Sequence, residues 1–182
     1  MKIEFASADS VSGSQAVPVF ADSTFSSAAK AIDDVSGGAL SRAVAASRFT
    51  GKPGQTLEVL APTGANADRI ILFGLGKQDE LKASVVEKSA AAVASKLLLS
   101  GETSITMRLD GVADAEGAGR AGLGARMASY RFDEFRTKLT ADKKPSLSAM
   151  TITADDVAAA NLAWDSWGAV AAGVDLAREV TN

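Results

Sequence analysis

Neither histidine nor cysteine occurs among the 182 residues. The first absence removes the commonest general base, the Ser-His-Asp arrangement and the usual zinc ligands together. The second excludes disulfides and thiolate metal sites, and it fits a reducing compartment. Any chemistry must then rest on carboxylates, lysines or hydroxyls. No stretch approaches the ~20 apolar residues of a membrane span; "AAAVASKLLLS" is short and is broken by Lys96. The opening "MKIEFASADS" lacks the basic and apolar regions of a secretory signal. A cationic surplus is missing too: 19 basic and 22 acidic residues give a net charge of −3, which leaves no field to attract phosphate backbones or anionic lipid. The densest basic stretch, "FRTKLTADKKP", carries Arg136, Lys138, Lys143 and Lys144, but Asp133, Glu134 and Asp142 accompany them and the segment reads as a solvated loop. These exclusions point to a soluble, cytoplasmic chain with neither membrane nor nucleic acid as partner. Its length suits one domain, burying roughly 70% of the surface exposed when unfolded.

Six runs have strand character: 2–6 (KIEFA), 16–21 (AVPVFA), 56–61 (TLEVLA), 69–74 (RIILFG), 104–109 (SITMRL) and 147–153 (LSAMTIT). Ile105, Met107 and Leu109 alternate with Thr106 and Arg108, the period of a strand covered on one face. Ile70 to Phe73 is apolar throughout and predicts a central strand. Pro18 donates no backbone hydrogen bond, so its strand is expected at an edge or beside a bulge. Helical patterns lie between. The first covers about 24–35 and ends at Gly37-Gly38. The second sets Leu40, Ala43, Val44 and Ser47 on one face and is closed by the "GKPG" turn at 51–54. A third runs to Ser100, started either by Asp79 or by a Ser84–Glu87 capping box. A fourth covers 113–129, and the last runs from Asp155 to the end with Val157, Ala160, Trp164, Trp167, Ala171 and Val174 as its stripe. In its closing "GVDLAREVTN", Val174, Ala177 and Val180 fall at helical spacing, with Asp175, Arg178 and Glu179 turned the other way. The order predicts an α/β three-layer sandwich: a mixed six-stranded sheet flanked by helices on both faces, mixed because no helix separates the first two strands. With no linker or repeat, residues 1–182 form a single domain.

Several motifs invite a functional reading. "GAGRAG" at 117–122 satisfies G-x-G-x-x-G, but a dinucleotide turn needs its glycines directly off a strand, and here they fall inside a helical pattern that starts near Asp114. Ala115, Ala118, Gly122, Ala125 and Ser129 instead make a small-residue stripe that lets this helix approach the sheet. "FGLGK" at 73–77 follows an apolar strand, so Gly74, Gly76 and Lys77 are the candidate anion-binding loop. It departs from a P-loop, with Ile71 where the first glycine belongs and Gln78 where Ser or Thr belongs, and its other role is a tight strand exit. Tyr130, Phe132 and Phe135, and separately Trp164 and Trp167, read as packing anchors for the two later helices. The pairs Asp33-Asp34, Asp133-Glu134 and Asp155-Asp156 fall at helix ends or in loops, where carboxylates cap. No catalytic or metal-ligating residue emerges.

Taken in order, "VPVFAD", "ILFGLGK", "AEG…SYRFDEFRTK" and "GVDLAREVTN" resemble the amino-terminal domain of the leucyl (cytosolic) aminopeptidase family. There G-L-G-K follows a strand, a helix containing E-G runs into Y-x-F-D-x-[YF]-K-like residues, and a later helix ends in A-R-[DE]-L-V-N before E-P-A-N. Ala177, Arg178, Glu179 and Asn182 match that ending, with Val180-Thr181 in place of Leu-Val. The resemblance therefore implies a chain cut at a domain junction, its final helix (155–182) leading to a missing carboxy-terminal catalytic domain. The family's metal motif N-T-D-A-E-G-R is echoed at "DAEG" (114–117), but Gly111, Val112 and Ala113 precede it and Arg120 comes two residues late. What the resemblance implies is a macro-domain-like fold and a non-catalytic role in assembly and support. The parent would be a homohexameric exopeptidase with two divalent metals, zinc or manganese, held by Asp, Glu and Lys. The isolated chain is then expected to be inactive. The other reading kept open is a macro-like module binding an ADP-ribose-like ligand at the Gly74–Gly76 loop.

Overall fold

The computed structural model describes residues 1–132 and 138–181. All six expected strands form: β1 (Lys2–Ala6), β2 (Gln15–Phe20), β4 (Thr56–Leu60), β5 (Arg69–Gly76), β6 (Ser104–Met107) and β7 (Ala149–Thr153). A two-residue β3 (Thr24–Phe25) joins them, so the sheet has seven strands rather than six, in the order β1-β7-β6-β2-β5-β4 with β3 beside β2. The addition is local in origin. Asp22 and Ser23 take positive φ, 55° and 60°, and fold the chain back antiparallel onto Val19 and Phe20. This turn delays the first helix, α1 (Ser27–Val35), whose start is fixed by Ser26 accepting the Ala29 N–H at 3.2 Å.

The sheet is mixed, but for a different reason from the one expected. β1 and β2 are not neighbours: β1 lies at an edge, parallel to β7, while β2 sits between β6 and β5 and is parallel to both. The antiparallel pairs are β4 with β5 and β3 with β2. Pro18 thus lies in an interior strand, next to the register shift between Val19 and Phe20. Ala16 O accepts from Arg108 N on the β6 side, and strand alternation turns the proline nitrogen to that same side. β6 has ended at Met107 by then, and on that side Pro18 O accepts from Ser26 N, just past β3, at 3.3 Å.

Helices cover both faces, α1 and α2 (Ala39–Ala45) on one and α3 (Ala83–Leu97), α4 (Ala115–Ser129) and α5 (Val157–Thr181) on the other. β5 serves both layers. Ile70 and Leu72 pack with Val17, Val19, Leu40 and Phe49 under α1 and α2, while Ile71, Phe73 and Leu75 join Val86, Val93, Leu97 and Met107 on the opposite side. That double burial is why its sequence is continuously apolar. Each such side chain contributes about 1.5–3 kcal/mol by leaving water. At the edge of the α1 layer the rule relaxes: Ile105 and Met107 of β6 are buried but Thr106 is half-buried and Ser104 exposed, which gives the alternating pattern.

Two starts differ from the sequence reading. α3 begins at Ala83 with no side-chain cap, and Glu87, free of any capping box, sits with its Oε2 2.5 Å from Arg120 Nε of α4. α5 is capped by Asp156, which accepts the Ala159 N–H at 2.9 Å, while Asp155 accepts from Gly111 N at 3.0 Å and ties two loops together.

Candidate functional site

The glycine loop at the end of β5 is occupied by its own protein. Gly74 N donates to Gln55 O at 2.9 Å and Gly76 N to Gly51 O at 2.8 Å, while Gly74 O accepts from Ser89 Oγ of α3 at 2.8 Å. The 51–54 turn lies directly against the strand: a Cβ on Gly74 would run into the carbonyl of Lys52 and the carbon of Gly51. Gly76 has φ of +75° and turns the chain out beneath Pro53. The turn is organised by Gln55, whose Oε1 accepts from Thr50 N at 3.0 Å and Lys52 N at 3.1 Å. Lys77 is largely exposed and pairs with Glu80 at 2.8 Å; the hydrogen bond raises the lysine pKa and lowers that of the glutamate. These amides are therefore aimed at carbonyls of the neighbouring turn, and the lysine already has its anion.

The carboxylates of "DAEG" are likewise committed. Asp114 is the N-cap of α4, accepting the Gly117 N–H at 2.8 Å. Glu116 accepts from Trp167 Nε1 at 3.2 Å, and the Arg120 guanidinium stacks 4.4 Å over the same indole. Among the described residues, no three His, Cys, Asp or Glu side chains come together as a metal-holding group. The described residues therefore do not fit a two-metal centre, and no step through one is assigned to them. The glycines of "GAGRAG" and its continuation face three neighbours. A Cβ on Gly122 would meet the Trp164 ring at 2.8 Å and Ile3 of β1 at 3.1 Å, one on Gly119 would meet Ala163 at 3.0 Å, and Gly124 lies on the backbone of Glu87. The small residues let α4 approach α3 and α5 as well as the sheet. The tryptophans act as expected, Trp164 packing 6.4 Å from the Phe5 ring. Asp133, Glu134, Phe135, Arg136 and Asn182 lie outside the described residues.

One polar group was missed in the sequence. Arg108, just past β6, donates from Nε and Nη2 to the two carboxylate oxygens of Asp110 at 2.7 and 2.8 Å. The buried Thr153 hydroxyl donates to Asp110 Oδ1 at 2.5 Å and accepts from Leu109 N at 2.9 Å. The Arg108 bond, helped by Thr153, holds the Asp110 carboxyl below the usual range against the opposing effect of burial. A carboxylate so depressed is a poor proton acceptor at neutral pH. The pair lines one side of a cleft of about 460 Å³ with Gln15, Ala28, Ile32 and Val35. Its signal was present: Arg and Asp two apart in extended chain share a face. A second cleft, about 380 Å³, opens between the starts of α3 and α4, lined by Leu81, Lys82, Val86, Val112 and Asp114. Neither cleft assembles a nucleophile with a base.

Comparison with known proteins is consistent along the whole chain. The family described as "Cytosol aminopeptidase family, N-terminal domain" matches residues 16–139. A probable cytosol aminopeptidase of Caulobacter vibrioides is 38% identical over 185 residues, covering 100% of this chain and 37% of the relative. One from Rhizobium etli is 36% identical over 148 residues, covering 80% and 30%. The chain thus spans about a third of the length of the curated relatives it matches, 37% and 30% for these two. Among solved structures, a tomato leucine aminopeptidase mutant superposes with a TM-score of 0.81 at 22% identity, covering 100% of this chain and 38% of that one. The bottromycin maturation enzyme BotP gives 0.68 at 21%, covering 94% and 33%, and has also been solved in complex with Mn. The sandwich superposes on that of a leucine aminopeptidase, and with the family match over residues 16–139 and the 38% identity to the Caulobacter vibrioides relative, this chain belongs to the cytosol aminopeptidase family as its N-terminal domain.

Proposed function

We propose that this chain is the non-catalytic amino-terminal domain of a two-part, metal-dependent aminopeptidase that removes residues from the free amino ends of peptides. The observation that carries the reading is coverage: the chain accounts for 37% of a relative that bears the aminopeptidase name, and it matches the part described as N-terminal. Two divalent metals, manganese as in BotP or zinc, would belong to the carboxy-terminal portion and polarise the peptide carbonyl there when bound. What this chain's own residues do is structural. Gly74 and Gly76 seat the 51–54 turn, Asp114 starts α4, and Glu116 with Arg120 fixes Trp167. The parent assembly we propose is a homohexamer in the cytoplasm, with the family resemblance as support; among the described residues no helix is long and apolar enough to cross a membrane. The test is hydrolysis of leucine p-nitroanilide with zinc or manganese added. The 182-residue chain should release no product while the full-length protein does; robust release by the chain alone would overturn the assignment.

A further inference from the structure

The last helix is amphipathic in the wrong direction for its surroundings. Its first turns behave as the sequence suggests, with Ala160 and Ala171 buried and Trp164 and Trp167 packed on α4. Towards the end, however, Asp175 and Arg178 turn inward, while Glu179 stays exposed. Asp175, with a side chain only 14% exposed, accepts from Arg126 Nε at 3.0 Å; Arg178 donates to Met127 O at 3.1 Å and lies 5.1 Å over the Tyr130 ring. Along the whole helix, large apolar residues turn out: Leu162 is 70% exposed, Val170 47%, Leu176 61% and Val180 79%. With Ala169, Gly173 and Ala177 they fall within about a third of the helix circumference, and that strip carries no charged residue. The other exposed large apolar side chains of the described residues, Val35, Leu60 and Leu99, lie on three separate elements or loops.

We propose that this outward face of α5 is the docking surface for the carboxy-terminal catalytic portion, an inference that rests on the two-part reading above. Area and tethering select that occupant. From Leu162 to Val180 the strip is about 27 Å long, and at a helix width of about 10 Å it offers roughly 270 Å². A stable pair of separate molecules needs about 800 Å² from each. A second copy at micromolar concentration is poorly held by so small a patch. A domain joined to the end of α5 is present at an effective concentration of order millimolar, and the same patch suffices. The relatives supply such a domain, since 63% of the Caulobacter vibrioides chain lies outside the match, by subtraction from the 37% covered.

The 182 residues contain no cysteine, so a thiol introduced among them is the only one in the short chain, and in the full-length protein labelling is read at the introduced position by peptide mass spectrometry. Single thiols are introduced by Leu176→Cys and Val170→Cys, with Val35→Cys on α1 as control, and maleimide labelling rates are compared between the 182-residue chain and the full-length protein. Labelling at 176 and 170 should slow by about tenfold or more in the full-length protein, survive dilution to its monomer, and leave position 35 unchanged. Equal rates in a full-length protein that hydrolyses leucine p-nitroanilide would overturn the docking face and leave the two-part reading standing. Protection that vanishes on dilution, or labelling of the short chain that slows as its own concentration rises, would assign the face to a second copy and overturn the proposal. A full-length protein without aminopeptidase activity would remove both.

Discussion

Asp110 shows how much one side chain can be asked to hold. It accepts from both donors of Arg108 and from Thr153, joining the exit of β6 to the end of β7. Its folded pKa lies below the value of 3.8 that it takes when unconstrained. The unfolded chain therefore binds this proton first, and the stabilisation is complete above about pH 4 and lost as pH falls through the folded value. Asp110→Asn should lower stability by about 1–2 kcal/mol at pH 7, and the gap to the parent should close below pH 4. Urea unfolding from pH 7 to pH 2.5 measures this; a gap constant across that range would contradict the role. The group was hard to find in the sequence because nothing in "MRLD" announces that Thr153, more than forty residues away, completes it. The Gly74–Lys77 loop was easier to notice than to interpret, since the carbonyls that take its amides belong to Gly51 and Gln55.

Among the helices, α4 has the tightest neighbours. The backbone of Glu87 in α3 approaches so near that a Cβ on Gly124 would overlap its carbonyl oxygen, whereas Gly173 of α5 has nothing within 4 Å. The two glycines should respond oppositely to the same change. Gly124→Ala should cost about 2 kcal/mol or more by forcing α3 and α4 apart, while Gly173→Ala should gain about 0.5–1 kcal/mol through helix propensity. Urea midpoints with unchanged slopes decide it, and a harmless Gly124→Ala would show that the helices can separate freely. Periodicity revealed the six longer strands and all five helices, because burial on one face or two writes itself into residue type. It did not reveal β3, which two positive-φ residues create, or the pairing order, which depends on contacts distant in sequence. Nor did it orient the end of α5 correctly. Val174, Ala177 and Val180 were read as one face, yet Asp175 and Arg178 face inward because Arg126 and Tyr130 await them on and just beyond α4.

For the molecule as a whole, family membership was legible because four short motifs recur in order, and the match to residues 16–139 bears it out. The chemistry was not legible as a site because its echo, "DAEG", serves α4: Asp114 caps the helix and Glu116 anchors Trp167. Asp114, Glu87 and Glu116 are engaged in a cap, an ion pair and a tryptophan contact, and no three acidic side chains of the described residues gather as a metal-holding group; the proposal is that the metal chemistry resides on polypeptide beyond this domain. The most direct measurement is equilibrium dialysis of the 182-residue chain against zinc and manganese, with bound metal counted by mass spectrometry. The account predicts no metal above the buffer background for either ion; two ions held per chain, as a two-metal hydrolase requires, would contradict it.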